Sequence, residues 1–341
     1  MTGFLGTVIN SYVQTLIDTA CARGADRNEM LRPLQGETSI LDQPGKRLSM
    51  NLMTRLWQHI AEVTADPDLG LHVGEAIRPG SFHILAPVIM NCETLYDTIE
   101  MVVRYQSLVS EGGVIDCIKA EAGMKLTYTP GSFPIPMTRF QIECIFSGIV
   151  TFTRWLLNND ISPCEVNFVH TVPHGHDEYK RIFRCPVVFG HNENAMVIAS
   201  TFLNLKIPHA DPDLRRHHQE MADRFMVHQT NEHKIIIELE ELLHSWQDSG
   251  RLSLAKAAEA LKLSPRTLQR RLQKAASSFH EVQNNVLMSK AHDLLLSTDL
   301  PVSRIAEDLG YLNNSSFHRR FKNWYGMTPH TYRQKALGKR A

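Results

Sequence analysis

The C-terminal third of the chain contains Val302-Ser-Arg-Ile-Ala-Glu-Asp-Leu309 and, after a turn, Ser316-Phe-His-Arg-Arg-Phe321. The same pattern occurs earlier, as Leu254-Ala-Lys-Ala-Ala-Glu-Ala-Leu261 followed by Thr267-Leu-Gln-Arg-Arg-Leu272. The Ala-Glu pair recurs at an offset of 48 residues and the Arg-Arg pair at an offset of 49. Such a repeat indicates one supersecondary unit used twice, so it decides the fold of this region.

The first copy predicts a helix, a tight turn and a second helix. Lys262-Leu-Ser-Pro265 ends the first helix, because serine is a good N-cap and proline fits the first turn of the next helix. Helical spacing predicts these inward positions: Leu254, Ala258, Leu261, Leu268 and Leu272. The predicted outward positions of the second helix are Arg266, Gln269, Arg270 and Gln273.

The second copy gives the same assignment. Gly310 closes its first helix, and Asn313-Asn-Ser315 starts the next one. The predicted inward positions are Ile305, Ala306, Leu309, Phe317 and Phe321. The predicted outward positions are Asn314, Ser315, His318, Arg319 and Lys322. Two helix-turn-helix units are therefore expected, each exposing arginine and amide side chains on its second helix.

The segment Ser278–Leu296 between the units contains neither proline nor glycine and predicts one continuous helix, about 28 Å long. A rigid spacer of that length can place two exposed helices about 34 Å apart, one turn of DNA. Arg, Gln and Asn on a short helix suit the major groove, where they pair with base edges. The alternative is a small helical bundle with a basic surface, and the matching assignments of the two copies argue against it.

Charge is divided unevenly along the chain, although the formal net charge of the 341 residues is zero. Residues 251–341 carry 16 Lys/Arg and 6 Asp/Glu, whereas the preceding 250 residues carry 20 and 30. A basic region joined to an acidic one suggests a phosphate-bearing partner for the former. A solvated basic surface is the other interpretation that charge alone allows.

Residues 232–334 resemble the DNA-binding domain of the AraC/XylS regulators. The resemblance is most specific at Ile305-Ala-Glu-Asp-Leu-Gly-Tyr311, at Ser316-Phe-His-Arg-Arg-Phe-Lys-Asn-Trp-Tyr-Gly-Met-Thr-Pro329 and at Tyr332-Arg333. It implies base contacts by residues 266, 269, 270, 314, 315, 318 and 319, with double-stranded DNA and RNA polymerase as partners. The chain departs from the family pattern at Ala276-Ser277, where glycine is common, and at Leu287-Met288, where the linker helix usually has arginine.

The first two-thirds of the chain mix helical and strand-like patterns, which predicts an α+β domain. Helices are expected near Met50–Ala65, Thr94–Val109 and Phe140–Leu157, with Asp66–Gly70 as a turn. A hairpin is expected around Glu121-Ala-Gly123, and further strands are predicted at Glu165–His170, Pro186–Phe189 and Ala195–Ile198.

Three further motifs in this region resemble the arabinose-binding-type N-terminal domain of one AraC branch. They are Asp66-Pro-x-Leu-Gly-Leu-x-Val-Gly74, Tyr179-x-x-Ile-Phe-x-Cys-Pro-Val-Val-Phe-Gly190 and Leu205-x-Ile-Pro-x-Ala-Asp211. The resemblance implies an effector-sensing domain at residues 1–212, an interdomain linker at 213–230 and an AraC-type DNA-binding domain at 231–341. It implies a regulator that responds to a small molecule, with activation and repression as the two alternatives, of which we expect activation, and it allows a homodimer.

Four polar residues in apolar surroundings are candidates for orienting a carboxylate effector: Arg78, His83, Tyr105 and Arg139. The alternative for each of them is a polar core group whose hydrogen bonds are already made.

Enzyme chemistry finds little support in the sequence. His174-x-His176 with Asp177-Glu178 could form a metal cluster, but a solvated loop after Pro173 is the favoured interpretation, since an HxH pair without a second ligand group is common. A DNA-repair enzyme is the rival function, and it needs a nucleophilic cysteine in a basic setting, which none of the six cysteines has in sequence. Cys164 is interpreted as structural. We therefore expect no catalytic residue, metal or cofactor.

No apolar run reaches the ~18–20 residues of a membrane span. The cysteines contain no CxxC pair, which favours reduced thiols and a cytoplasmic location.

Overall fold

The structure is a computed structural model that describes residues 6–34, 41, 45–133, 135–171, 175–246, 249–275, 277–311 and 313–337. The chain divides into two compact units. The N-terminal unit comprises Gly6–Gly131 and Met137–Val227, and the C-terminal unit is built mainly on His228–Ala341.

The N-terminal unit is α+β, as predicted. Its helices are α1 (Asn10–Ala22), α2 (Arg27–Met30), α3 (Met50–Thr64), α4 (Leu69–Glu75), α5 (Leu85–Met90), α6 (Leu95–Val109), α7 (Arg139–Leu157), α8 (Asp177–Phe183) and α9 (Ser200–Leu203). Its strands are β1 (Thr7–Ile9), β2 (Arg47–Ser49), β3 (Gly113–Ala120), β4 (Gly123–Pro130), β5 (Glu165–Phe168), β6 (Val187–Phe189) and β7 (Asn194–Ala199). Two short 3₁₀ helices lie at Arg32–Leu34 and Pro79–Phe82.

Five strands form one sheet in the order β3-β4-β7-β5-β6. Only β5 and β6 pair in parallel, while the other neighbours are antiparallel. The predicted hairpin is confirmed, because β3 and β4 pair in register from Gly113↔Pro130 to Ala120↔Gly123. A second, two-stranded sheet pairs β1 with β2.

Local capping sets the ends of the long helices of the N-terminal unit. Thr94 and Asp97 form a reciprocal capping box at the start of α6, and Thr138 and Gln141 form another at the start of α7. Ala65 ends α3 in the left-handed conformation, with φ of 48°. The predicted turn at Asp66–Gly70 is too long, because α4 already begins at Leu69.

Helices α4 and α7 pack with their backbones in close contact. A Cβ atom added at Gly74 would lie 1.7 Å from Ser147 Oγ and 2.8 Å from Gly148 N. Glycine is therefore required at this crossing, where α7 forms the centre of the N-terminal unit.

The C-terminal unit is helical, as predicted. Its helices are the end of α10 (Pro212–Ser245), then α11 (Leu254–Ala260), α12 (Pro265–Lys274), α13 (Phe279–Ser297), α14 (Val302–Asp308), α15 (Asn314–Tyr325) and α16 (Pro329–Leu337), with a 3₁₀ turn at Ser249–Arg251. Helix α10 is 34 residues long and includes all of the segment 213–230 that the sequence marks as a linker. Among the described residues, we find no helix with the length and apolar character of a membrane span.

Two apolar cores support the two repeat units. The first joins α10, α11, α12 and the start of α13, and it includes Ile236, Leu239, Leu268 and Leu272. The second joins the rest of α13 to α14 and α15, and it includes Met288, Ile305, Phe317 and Phe321. Helix α13 therefore supplies one wall to each core.

Candidate functional site

Helix α12 presents the first candidate DNA-contact face. Ser264 caps it by accepting a hydrogen bond from Thr267 N at 3.1 Å, and Pro265 occupies the first turn. Leu268 and Leu272 are fully buried. The predicted outward residues of this helix are all exposed: Arg266, Gln269, Arg270 and Gln273. At about 100° per residue, Arg270 lies opposite the buried leucines, whereas Arg271 lies to one side.

Helix α15 repeats this arrangement. Asn313 caps it by accepting a hydrogen bond from Ser316 N at 2.8 Å, and Phe317 and Phe321 are fully buried. Four of the five predicted outward residues are exposed: Asn314, Ser315, Arg319 and Lys322. His318 is half-buried, because its ring packs edge-on against Phe317.

Both exposed faces are basic. Neither α12 nor α15 contains an aspartate or a glutamate, so no carboxylate on these helices neutralises their arginines. The geometry can therefore present guanidinium and amide donors to phosphates and base edges.

Polar side chains of α13 fasten the first repeat unit. Gln283 donates hydrogen bonds to the carbonyl oxygens of Ser249 and Leu252, at 2.7 and 2.9 Å. Lys290 Nζ donates to the Leu243 carbonyl at 2.9 Å and to Ser249 Oγ at 3.1 Å. These bonds join the loop after α10 to helix α13.

Side chains of the second repeat unit also bind to α13. Arg320 donates a hydrogen bond to Asn284 Oδ1, and its guanidinium lies over the Tyr311 ring. Tyr325 donates to the Met288 carbonyl oxygen at 3.1 Å. Leu287 and Met288, which stand where the family usually has arginine, are 2% and 0% exposed and belong to the apolar core. Arginine at these two positions is therefore replaced by packing.

The two repeat units also meet directly. A Cβ atom added at Gly250, in the 3₁₀ turn of the first unit, would lie 2.1 Å from the Leu309 carbonyl oxygen. Gly310 at the same contact has φ of +86°. The turns of the two units thus touch through backbone, which limits how far one unit can tilt against the other.

The N-terminal unit encloses a candidate effector cavity, hereafter the apolar cavity. It lies between helices α3, α5, α6 and α7 and one face of the five-stranded sheet, and it has a volume of about 160 Å³. Sites for drug-sized molecules span about 300–1,000 Å³, so this cavity suits a small ligand or one that extends through its mouth. Among its described lining residues there is no Asp, Glu, Lys, Arg or His.

The polar groups of the cavity wall are uncharged. Gln106 binds backbone atoms of Val103 and Ile115, and so holds α6 against β3. Tyr12 and Tyr128 contribute hydroxyls, and burial raises the pKa of both well above the ordinary value of 10, so both stay neutral. The apolar cavity was missed by sequence reasoning, since its residues come from distant elements and carry no local motif.

The four predicted effector-binding residues lie outside this lining, and they are not brought together. Arg78 is exposed and donates to the carbonyl oxygens of Glu75 and Ile77, and His83 is half-buried. Tyr105 donates a hydrogen bond to Asp223 at 2.6 Å. Arg139 forms an ion pair with the buried carboxylate of Glu143 at 2.6 Å. Tyr105 and Arg139 thus have protein partners of their own.

The enzyme features of the sequence gain no support from geometry. His174 lies outside the described residues, and the described chain contains no cluster of three or more His, Cys, Asp or Glu suited to a metal ion. Cys164, which is interpreted from the sequence as structural, is exposed. It directly follows a proline before β5, where its side chain points to solvent.

Comparisons with known proteins agree with this architecture. Residues 24–207 match the family described as the arabinose-binding domain of AraC transcription regulators, and residues 257–335 match a helix-turn-helix domain. The ornithine utilization regulator of Pseudomonas aeruginosa is 21% identical over 325 residues, covering 95% of both chains. The regulator VirS of Mycobacterium tuberculosis is 25% identical over 320 residues, covering 91% of both.

Among solved structures, transcriptional regulator CdpR from Pseudomonas aeruginosa matches 89% of this chain and 97% of its own, with 21% identity and a TM-score of 0.44. The arabinose-binding family match alone spans more than half of the 341 residues. The chain therefore belongs to the AraC family of transcription regulators, with an arabinose-binding-type N-terminal domain and a C-terminal helix-turn-helix domain.

Proposed function

We propose that this regulator binds a specific DNA site through α12 and α15, which enter successive major grooves on one face of the duplex. The observation that carries the proposal is the pair of exposed basic faces, each mounted on a buried apolar pair and fastened to the same helix, α13. The proposed base-contact residues are Arg266, Gln269, Arg270, Asn314, Ser315, His318, Arg319 and Lys322.

The proposal that α12 and α15 reach successive grooves depends on the rigidity of α13, which sets the distance between them. Its 19 residues give a length of about 28 Å, close to the ~34 Å turn of DNA. The contact between Gly250 and Leu309 adds a second connection between the units. A rigid pair of recognition helices favours an asymmetric DNA site, because the two helices differ in their exposed residues.

We further propose residues 1–212 as an effector-sensing domain, 213–230 as a linker and 231–341 as the DNA-binding domain. The apolar cavity supports sensing of a small molecule. An effector can shift the chain toward its DNA-competent state only by the difference in its affinity for the two states, typically ~1–3 kcal/mol. RNA polymerase contact, activation and a homodimer are parts of the same proposal that follow from family membership.

Matched pairs of adjacent arginines test the DNA-binding part. An operator is first selected from a random DNA library with the full chain. Arg270→Ala and Arg319→Ala are expected to weaken operator binding by ~1–3 kcal/mol each, because both side chains point away from the core.

Their neighbours serve as controls. Arg271→Ala and Arg320→Ala are expected to change operator affinity much less, since Arg271 lies to one side of α12 and Arg320 is engaged by Asn284. Affinity is measured by fluorescence anisotropy at several salt concentrations, on operator and on random DNA. An equal loss on both DNAs for Arg270→Ala and Arg319→Ala would show phosphate contact only, and would contradict base contact by these residues.

A further inference from the structure

The wall of the apolar cavity contains hydrogen-bond donors that have no good acceptor among the described residues. Trp57 is 1% exposed and lines the cavity, and its indole Nε1 has no hydrogen-bond partner among the described residues. A buried N–H without an acceptor costs free energy, so such a group indicates that an acceptor comes from elsewhere.

Among the described residues, the hydroxyls of Tyr12 and Tyr128 have only sulfur as a side-chain partner. Tyr128 Oη donates to Met137 Sδ at 3.4 Å, and Tyr12 Oη lies 3.2 Å from Cys144 Sγ. Thioether and thiol sulfurs are weak acceptors, so an oxygen atom would replace either of them as the better partner. Trp57, Tyr12 and Tyr128 together offer three donors to a ligand acceptor.

Three other polar side chains of the wall, those of Thr98, Gln141 and Gln106, bind protein atoms. Thr98 Oγ1 donates to the Thr94 carbonyl at 3.1 Å, and Gln141 Nε2 donates to Thr54 Oγ1 at 3.4 Å. Gln106 is bound to backbone at both ends of its amide. These three side chains hold the wall together, so the indole and the two phenols are better placed than they are to bind polar atoms of a ligand.

Because the described lining residues carry no charge, the apolar cavity disfavours charged ligands and ligands with many hydroxyl groups. An ammonium or carboxylate group buried here would lose its hydration without gaining an ion pair, which is strongly unfavourable. One relative is named for ornithine utilization, and a free amino acid carries both of these charges. A sugar has many hydroxyls, and most of them would meet aliphatic side chains.

We infer that the effector is a neutral, mainly apolar molecule with a carbonyl or ester oxygen, which accepts a hydrogen bond from Trp57 Nε1 inside the apolar cavity. This inference rests on the proposed sensing function and names the chemical class of its ligand. The aliphatic surfaces of α5, α6 and α7 surround the apolar part of the molecule. Tyr12 or Tyr128 donates to a second oxygen where the ligand has one.

A displacement assay on the full chain tests the ligand class with matched compounds. Nile red, which is neutral and fluoresces in apolar sites, serves as the probe. Methyl decanoate is expected to displace it at concentrations at least about tenfold lower than decanoate. The two molecules share the same acyl chain, but the ester is neutral whereas the carboxylate is charged and costly to bury. Arabinose and ornithine are expected to displace no probe.

Two variants locate the site. Ile149→Trp fills the cavity from α7 and is expected to abolish Nile red binding. Trp57→Phe keeps an aromatic ring but removes the N–H donor, and it is expected to weaken methyl decanoate about fivefold to tenfold. Trp155→Phe is the matched control, since this tryptophan is 45% exposed, and it is expected to leave displacement unchanged.

The outcomes separate the inference from the proposed function. Displacement by decanoate, ornithine or arabinose as strong as that by methyl decanoate overturns the ligand class. So does unchanged methyl decanoate affinity in a folded Trp57→Phe variant with the wild-type melting temperature. If methyl decanoate binds as expected but leaves operator affinity unaltered in the same preparation, the ligand class stands and the sensing function fails.

Discussion

The two helix-turn-helix units share one sequence pattern but are stabilised differently. The first unit has a mainly aliphatic core of leucine, isoleucine, valine and alanine with Phe279 beside them, and Gln283 and Lys290 fasten its loops through hydrogen bonds to carbonyl oxygens. The second has an aromatic core, in which Phe321 packs 4.5 Å from Tyr325 and 5.5 Å from Tyr332, centroid to centroid. A repeat therefore conserves which positions face inward, while the kind of interaction at those positions is free to change.

This difference predicts which unit depends on packing and which on hydrogen bonds. Aromatic side chains bury more area and make directional ring contacts, so the second unit concentrates its stability in few residues. The first unit spreads its stability over smaller side chains and over buried polar bonds that must be complete.

The largest expected effect is the loss of an aromatic core residue. Phe321→Ala is expected to lower the free energy of unfolding of the C-terminal unit by ~3–5 kcal/mol, because it leaves a cavity among three aromatic rings. Leu272→Ala at the corresponding position of the first unit falls in a range of ~2–5 kcal/mol and is expected to cost less than Phe321→Ala. Calorimetry of the full-length variants measures both, with exposed Lys322→Ala as the control. A larger loss of unfolding free energy for Leu272→Ala than for Phe321→Ala would contradict the stronger dependence of the second unit on core packing.

A buried carboxyl gives the first unit a pH dependence. Glu240 is 0% exposed in the aliphatic core of α10, and neither carboxyl oxygen has a hydrogen-bond partner among the described residues. Burial raises the pKa of this carboxyl from an ordinary 4.5 to about 7. The folded state therefore holds the proton more tightly, so its contribution to stability is complete below pH ~4.5 and is lost as the pH rises to 7.

Between pH 5 and 8 this loss amounts to ~3 kcal/mol in the C-terminal unit. Glu240→Gln stays neutral and is expected to remove that slope, whereas Glu238→Gln, at a partly exposed position, is expected to keep it. Melting temperatures across this pH range provide the measurement. A wild-type slope that persists in Glu240→Gln would assign the titration to another group.

A smaller effect is expected from the polar fastening of the first unit. Gln283→Leu removes the side-chain amide that donates to the Ser249 and Leu252 carbonyl oxygens. Both buried oxygens lose this hydrogen bond, which is expected to lower the free energy of unfolding by ~2 kcal/mol. In the second unit, Arg320→Leu removes one exposed hydrogen bond and is expected to cost less than ~1 kcal/mol. Hydrogen exchange is expected to rise in residues 249–263 for Gln283→Leu. Equal costs for the two variants would show that both units rely on polar bonds alike.

The last prediction concerns the contact between the two repeat units. Gly250→Ala places a methyl group against the Leu309 carbonyl oxygen and is expected to cost ~1–3 kcal/mol, the lower end being reached if the units tilt apart. Tilting is expected to weaken operator binding more than random-DNA binding. Gly80→Ala, whose added Cβ meets no atom within 4 Å and whose φ is not positive, controls for the loss of a glycine. Unchanged operator affinity in Gly250→Ala would mean that α13 alone sets the spacing.

Local sequence determined most of the C-terminal unit. Ser264, Asn313 and Gly310 act where the sequence places them, because capping and left-handed turns depend on a few neighbouring residues. The inward positions of both copies are buried, except that Leu254 and Leu261 are half-buried, since helical periodicity and a repeat constrain each other. The hairpin of β3 and β4 was predictable for the same local reason.

The tertiary structure alone decided the sites that draw on distant parts of the chain. The apolar cavity takes Trp57, Tyr128 and Ile198 from three different elements, and no short stretch of sequence marks their meeting. Tyr105 and Arg139 looked like ligand contacts, yet Asp223 and Glu143 bind them. A helix boundary follows from free energies within a few residues, whereas a cavity and its unpaired donors depend on how separate elements pack, and only the folded chain fixes that.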